Sequence, residues 1–197
     1  MVSLRIIGGA AGSRRIPSPE EAGVRPTGER VREALFNIWG DAIIGARVLD
    51  LCAGSGAISL EALSRGATGV VAVEKNPRLC AAMRRNADAL GLSDGLEVRC
   101  ADAVAEIGRI RAQGSRRFEL AFADPPWRED VLRREVLEAV FTPEPICAKL
   151  VVEAPKGVAR HESAAGGVRL VRERRYGDTC LLFYEAESAG IPGDAGE

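Results

Sequence analysis

The chain has 197 residues, 46% of them hydrophobic and 28% charged, enough for one α/β domain with a substantial core and too few for two of ordinary size. Its net charge of −1 excludes a protein that coats nucleic acid through bulk charge, and no apolar run approaches bilayer-spanning length. Five scattered cysteines without a C-x-x-C pair, and a single histidine, His161, exclude a disulfide framework and a zinc site, so no metal is expected.

In chain order, Met1 to Gly9 lacks the apolar stretch and cleavage site of a secretory signal, which predicts a cytoplasmic protein. In that reducing compartment the cysteines read as small core residues, and His161 as a surface residue. Residues 1–26 carry Gly8, Gly9, Gly12, Pro17, Pro19, Gly23 and Pro26, too many breakers for a helix, and read as a short hairpin or arm. This head is basic: Arg5, Arg14 and Arg15 precede the first acid, Glu20, and the planar fork of arginine suits phosphate contacts. Thr27 looks like a helix N-cap, with Glu29 in the first turn, an apolar face at Val31, Leu35, Ile38 and Trp39, and Gly40 at the end. Residues 1–40 are therefore expected to form an arm and helix packed on a catalytic domain at 41–187, and the Gly/Pro-containing acidic stretch 188–197 a flexible tail.

From Arg47 the pattern changes to short apolar runs separated by helix-length segments, as a parallel sheet buried on both faces requires. The runs predict strands at Val48–Leu51, Val70–Val73, Leu96–Cys100, Leu120–Ala123 and Leu150–Glu153. Helices are predicted at about 56–65, 76–90, 102–112 and 129–140, the second opened by Asn76-Pro77, with Gly66 and Gly91 as stops. Val168–Arg174 and Cys180–Tyr184 flank Tyr176-Gly177-Asp178-Thr179 as an antiparallel hairpin. The fold class is α/β: a Rossmann-like, mainly parallel seven-stranded sheet of five parallel strands plus the C-terminal hairpin. Two further arginine clusters stand out, Arg109, Arg111, Arg116 and Arg117, and Arg169, Arg172, Arg174 and Arg175.

The first strand leads through Asp50 into Cys52-Ala53-Gly54-Ser55-Gly56, a turn of very small residues that a ligand can approach closely. Ser59 stands where the dinucleotide fingerprint has its last glycine or alanine, and an acid at Asp50 repels a pyrophosphate. It suits a cationic ligand such as the aminoacyl-sulfonium part of S-adenosylmethionine. Glu74 ends the second strand, where a carboxylate can accept from both ribose hydroxyls; Asp102, with Ala103 beside it, ends the third, where the adenine edge would lie. Asp102 also reads as a helix cap.

Strand four stops at Asp124-Pro125-Pro126-Trp127. Two prolines remove two backbone donors and fix the turn, leaving the Asp124 carboxylate and the Pro125 carbonyl as acceptors for the two N–H donors of an exocyclic amine. Trp127 offers a flat face on which a base can stack, worth about 1–3 kcal/mol. Because the amine lone pair is delocalised into the ring, positioning and electrostatics must carry the catalysis, with Asp124 also lining the cofactor site. The target base must be flipped or unpaired to reach this corner.

At these residues the sequence resembles the RsmD-type 16S ribosomal RNA guanine-N2 methyltransferases of bacteria. The resemblance runs from Arg5-Ile6-Ile7-Gly8-Gly9 through Arg25-Pro26-Thr27, Arg30-Val31-Arg32-Glu33-Ala34-Leu35-Phe36-Asn37, the Leu49–Gly56 loop and Leu60-Glu61-Ala62-Leu63-Ser64-Arg65-Gly66 to Glu74, Asp124–Trp127 and the 176–179 turn. Three places depart from the family's usual pattern: Gly12-Ser13-Arg14-Arg15-Ile16, Gly28-Glu29 after Thr27, and tryptophan at 127. The resemblance implies a class I S-adenosylmethionine-dependent enzyme, acting on the N2 amine of one guanine of 16S ribosomal RNA within a 30S subunit or assembly intermediate. It also implies a monomer whose RNA-facing wall includes Arg25, Thr27 and Arg30 beside Arg5, Arg14 and Arg15. Two rivals remain, an adenine-N6 DNA methyltransferase, which has no room here for a sizeable recognition insertion, and a catalytically silent ribosome-assembly factor, against which the intact Asp50, Glu74 and Asp124–Trp127 speak. A nicotinamide oxidoreductase lacks the full glycine fingerprint and a proton relay around His161.

Overall fold

A computed structural model describes residues 2–19, 27–114, 118–158 and 168–186. Arg25, Arg116, Arg117, His161 and the tail 188–197 lie outside the described residues.

The arm is a two-stranded antiparallel sheet, β1 (Val2–Arg5) and β2 (Arg15–Ser18). Helix α1 (Glu29–Trp39) follows, and then a 3-10 turn, Gly40–Ile43. The main body alternates β3 (Arg47–Leu51), α2 (Ala57–Ser64), β4 (Gly69–Glu74), α3 (Pro77–Leu90), β5 (Leu96–Cys100), α4 (Ala103–Ala112), β6 (Phe118–Ala123), α5 (Asp130–Phe141) and β7 (Cys147–Pro155). It closes on a hairpin, β8 (Val168–Tyr176) and β9 (Thr179–Ala186). The large sheet has the order β5-β4-β3-β6-β7-β9-β8, the first five strands parallel and β9 antiparallel to both neighbours. The expected seven-stranded architecture is what forms.

The central strands are buried on both faces. One face packs against α4 and α5 through residues such as Val73, Ile107 and Val140, the other against α1 and α2 through Phe36, Trp39, Phe122 and Phe183. Each such side chain removed from water is worth roughly 1.5–3 kcal/mol, which outweighs the weak intrinsic preference of short strands. Local signals set the helix ends: Asn76 caps α3 by accepting from Arg78 N, with Pro77 behind it, and Gly91 stops it in the left-handed conformation. Helix α1 differs from expectation. Gly28 is its N-cap and no side chain caps it, because the Thr27 hydroxyl is turned elsewhere.

Every residue of α2 is buried, since the sheet covers one side and the arm the other. Its polar residues must therefore find partners inside the protein. Glu61 accepts from Ile7 N (2.7 Å) and Gly8 N (2.8 Å) of the arm and from Arg65 Nε (2.7 Å), with Arg32 of α1 at 3.8 Å. Arg32, fully buried, donates to Arg5 O at 3.0 Å, and Arg65 stacks 5.0 Å from the Phe36 ring centroid. Ser64 Oγ donates to Gly8 O and accepts from Ala11 N. Gly9 lies so close to Ser64 that a Cβ would sit 1.8 Å from its carbonyl oxygen, so only glycine fits.

Breaking this buried cluster is expected to loosen the whole arm. Glu61→Ala should cost about 3–5 kcal/mol by leaving Arg32 buried without its counter-charge. Urea titration checks the value, and a loss below about 1 kcal/mol would mean that the arm is held by packing alone.

Candidate active site

Parallel strands place all their C-terminal ends at one edge of the sheet, and here each of four successive ends brings an acid: Asp50 on β3, Glu74 on β4, Asp102 after β5 and Asp124 after β6. These four line one cavity of about 780 Å³. Its wall also includes Ala53, Gly54, Ser55 and Ala103 of the expected cofactor site, and Pro126 and Trp127 of the double-proline corner. Gly56 and Pro125 stand behind the wall. Gly56 has φ 78° and a Cβ there would meet Met83 Cγ at 2.4 Å, so its role is to let α3 approach the loop.

The loop after β3 is fastened to the next strand. Glu74 Oε2 accepts from Gly54 N (2.9 Å) and Oε1 from Asn76 N (2.8 Å), while Ala53 N donates to Val73 O. Both carboxylate oxygens are thus oriented by backbone donors, and each retains a further acceptor site. Asp102 caps α4 through Ala105 N at 3.0 Å and still lines the cavity, so the capping and cavity-lining readings hold together.

Asp50 is 1% exposed, and Ser59 Oγ donates to its Oδ2 at 2.5 Å. This explains a serine at the position where a dinucleotide site has a small residue. Burial raises the Asp50 carboxyl to about 7, against the pull of the Ser59 bonds and with the nearby Glu74 charge adding to the rise.

Asp124 continues the ladder, its N donating to Leu51 O at 3.2 Å. Burial lifts its carboxyl well above the usual range, the charges of Glu153 and Asp50 lift it further, and Thr27 and Arg133 oppose the rise. Thr27 Oγ1 donates to Asp124 Oδ2 at 3.4 Å, so one oxygen is engaged and the other has no protein donor among the described residues. The corner is held from below by Arg133 of α5, 4% exposed, which donates to Trp127 O (3.2 Å) and to Asp130 Oδ1 (2.9 Å).

Of the expected RNA contacts among the described residues, only Thr27 reaches the cavity. Arg30 and Arg15 are exposed on α1 and β2. Arg5 pairs with Glu29 at 3.4 Å, and Arg14 bonds to Leu90 O at 3.2 Å and to Ala89 O, capping the C-terminus of α3. Three site features escaped sequence reasoning. Glu153 lies near the C-terminal end of β7 as a buried acid, and the series of acids at strand ends was the signal for it. Cys52 is half-buried in the cavity wall with φ 59°, a strained conformation for a residue with a Cβ. Ser18 and Pro19 of the arm also line the cavity, with no local signal. Cys80, Cys147 and Cys180 are buried as expected, whereas Cys100 is exposed.

A family model described as conserved hypothetical protein 95 matches residues 4–185. The chain is 32% identical over 185 residues to the putative rRNA methyltransferase YlbH of Bacillus subtilis, covering 92% of this chain and 98% of that protein. It is 37% identical over 133 residues to ribosomal RNA small subunit methyltransferase D of Escherichia coli strain K12, covering 68% of this chain and 65% of that protein's length. The solved structure of the putative methyltransferase yhhF from Escherichia coli superposes with a TM-score of 0.79 at 31% identity, covering 95% of this chain and 99% of that one.

Asp50 keeps its proton in the folded chain up to about pH 7, whereas an unfolded aspartate loses it near 3.8. Between those values the folded state binds more protons, so its stability falls as pH rises. The ligand-free chain is expected to unfold at lower urea at about pH 8 than at about pH 5, and Asp50→Asn should flatten that dependence. An equally steep profile in the variant would assign the effect to other groups.

Proposed function

This chain belongs to the conserved hypothetical protein 95 family, the RsmD-type family that its sequence blocks resemble, and from that premise we propose that it methylates the exocyclic N2 amine of a guanine in 16S ribosomal RNA. The cofactor is S-adenosylmethionine. The observation that carries the reading is the half-engaged Asp124 carboxyl, which faces the same cavity as Asp50 and Glu74.

The residues present fit this cofactor. Asp50, buried and without a fixed cation bonded to it, complements the aminoacyl and sulfonium charge, and Glu74 has an acceptor site on each oxygen for a ribose diol. Gly54, Ser55, Asp102 and Ala103 supply a close-fitting wall beside them. When bound, S-adenosylmethionine supplies an electrophilic methyl group.

The chain's own part is to hold and polarise the amine. Thr27 occupies Asp124 Oδ2, which leaves Oδ1 to accept one amine N–H; Pro125, expected to accept the other, stands behind the cavity wall. The bond to Asp124 restricts the direction of the nitrogen lone pair, and Trp127 provides a ring face for the base. Burial makes Asp124 a stronger base than an exposed carboxylate, so Oδ1 can take the proton as positive charge develops on the nitrogen. Arg133 holds the Trp127 carbonyl and so the corner itself.

Tritiated-methyl transfer to 30S particles, free 16S RNA and DNA, followed by nucleoside analysis, tests the proposal. N2-methylguanosine from the RNA substrates is expected; N6-methyladenosine, or label in DNA alone, would replace the reading, and no transfer to any substrate would refute it. Asp124→Ala should lower turnover on the order of 10²-fold or more with cofactor binding kept. Glu74→Ala should weaken cofactor binding about tenfold or more in calorimetry.

A further inference from the structure

The arginines of β8 have no part in the chemistry above, yet the sheet gives three of them a common direction. The β8–β9 ladder is interrupted by a bulge between Leu170 and Arg172, so Arg169 lies opposite Glu185, Arg172 opposite Phe183 and Arg174 opposite Leu181. Directly opposed side chains of an antiparallel ladder point to the same face. Leu181 and Phe183 pack with Leu35, Phe36 and Trp39 of α1, so Arg172 and Arg174 share the α1 face. Arg169 joins them, because Glu185 is two residues beyond Phe183. Without the extra residue, the odd spacing from 169 to 172 would put Arg169 on the other side. Arg175, opposite Cys180, faces α4 and α5 and pairs with Glu173 at 2.6 Å.

The three arginines are exposed and form no ion pair among the described residues; Arg174 donates only to the Glu173 carbonyl. On the neighbouring strands β9 and β7, the acids on their face are Glu185, already paired with Lys149 at 3.3 Å, and the buried Glu153 opposite Leu181. The row advances by two rungs per arginine, about 7 Å at roughly 3.4 Å per residue, close to the separation of successive phosphates along an RNA strand. It also ends at the right place. The 177–178 turn lies where Pro155 of β7 pairs with Thr179, at the cavity end of the sheet. Arg174, Leu181 and Glu153 share a rung that continues to Asp124, three strand spacings or about 14 Å away.

We propose that Arg169, Arg172 and Arg174 form a phosphate-docking row for the RNA strand whose target base enters the cavity, a surface that rests on the RNA methyltransferase reading above. Charged edges also deter strand addition, but that role is indifferent to the face on which the charges point. Phosphate docking requires the alignment that the bulge provides.

The test compares wild type with R169Q/R172Q/R174Q and with the corresponding triple lysine variant, measuring RNA affinity against salt. The glutamine variant should reduce the magnitude of the log–log slope by about 2, at about 0.7 per phosphate for a single strand, with cofactor affinity and melting temperature unchanged. The lysine variant should recover most of it. Where the triple variant self-associates, the three single variants carry the same test, each expected to lower the slope by about 0.7. An unchanged slope in a protein whose wild type binds and methylates RNA overturns the docking row alone. A wild type that methylates no RNA overturns the function reading and the row with it.

Discussion

A carboxylate with no access to water has to be satisfied by whatever the fold brings to it, and Glu61 turns that constraint into architecture. It bonds two amides of the arm, a guanidinium of its own helix and, at longer range, Arg32 of α1, so three stretches of chain separated by tens of residues meet at one side chain. The glycines of the arm are needed because the backbone runs against Ser64 with no room for a Cβ. The Arg5–Gly9, Arg30–Asn37 and 60–66 blocks of the resemblance are therefore partners in one buried cluster. None of them touches the cavity through that cluster, yet they fix the helix just before which Thr27 reaches Asp124.

The cavity applies the same physics for a different end. Asp50 is buried and Asp124 half-buried, each with few donors, and desolvation favours their neutral forms. That is costly for the ligand-free protein, and a cation bound beside them would favour their charged forms. Glu74 is arranged otherwise, its two oxygens held by backbone donors as a fixed acceptor. Acids at successive strand ends thus take distinct roles from their surroundings, and Glu153, one strand further, acts on Asp124 through its charge.

The arm and α1 lie on the same face as Asp50, whose rung partner Phe122 packs under α1, and the β8 edge of that face carries the three aligned, exposed arginines. Double-proline corner, covering helix and basic row follow from one choice of sheet face. A single bulge keeps the arginines on it.

Much of this was legible in the residues themselves. Apolar runs of four or five at helix-length spacing announce a buried parallel sheet, Asn76-Pro77 and Gly91 delimit α3, and the small-residue turn and double-proline corner sit where strand ends must converge. These are local signals: side-chain periodicity, capping and the geometry of proline and glycine act within a few residues and need no partner. The direction of the Thr27 hydroxyl, the partners of Glu61, the capping of α3 by Arg14 and the face of Arg169 were not legible. Each depends on a contact between residues distant in the chain, or on the parity of a strand register, and those quantities exist only once the layers have packed.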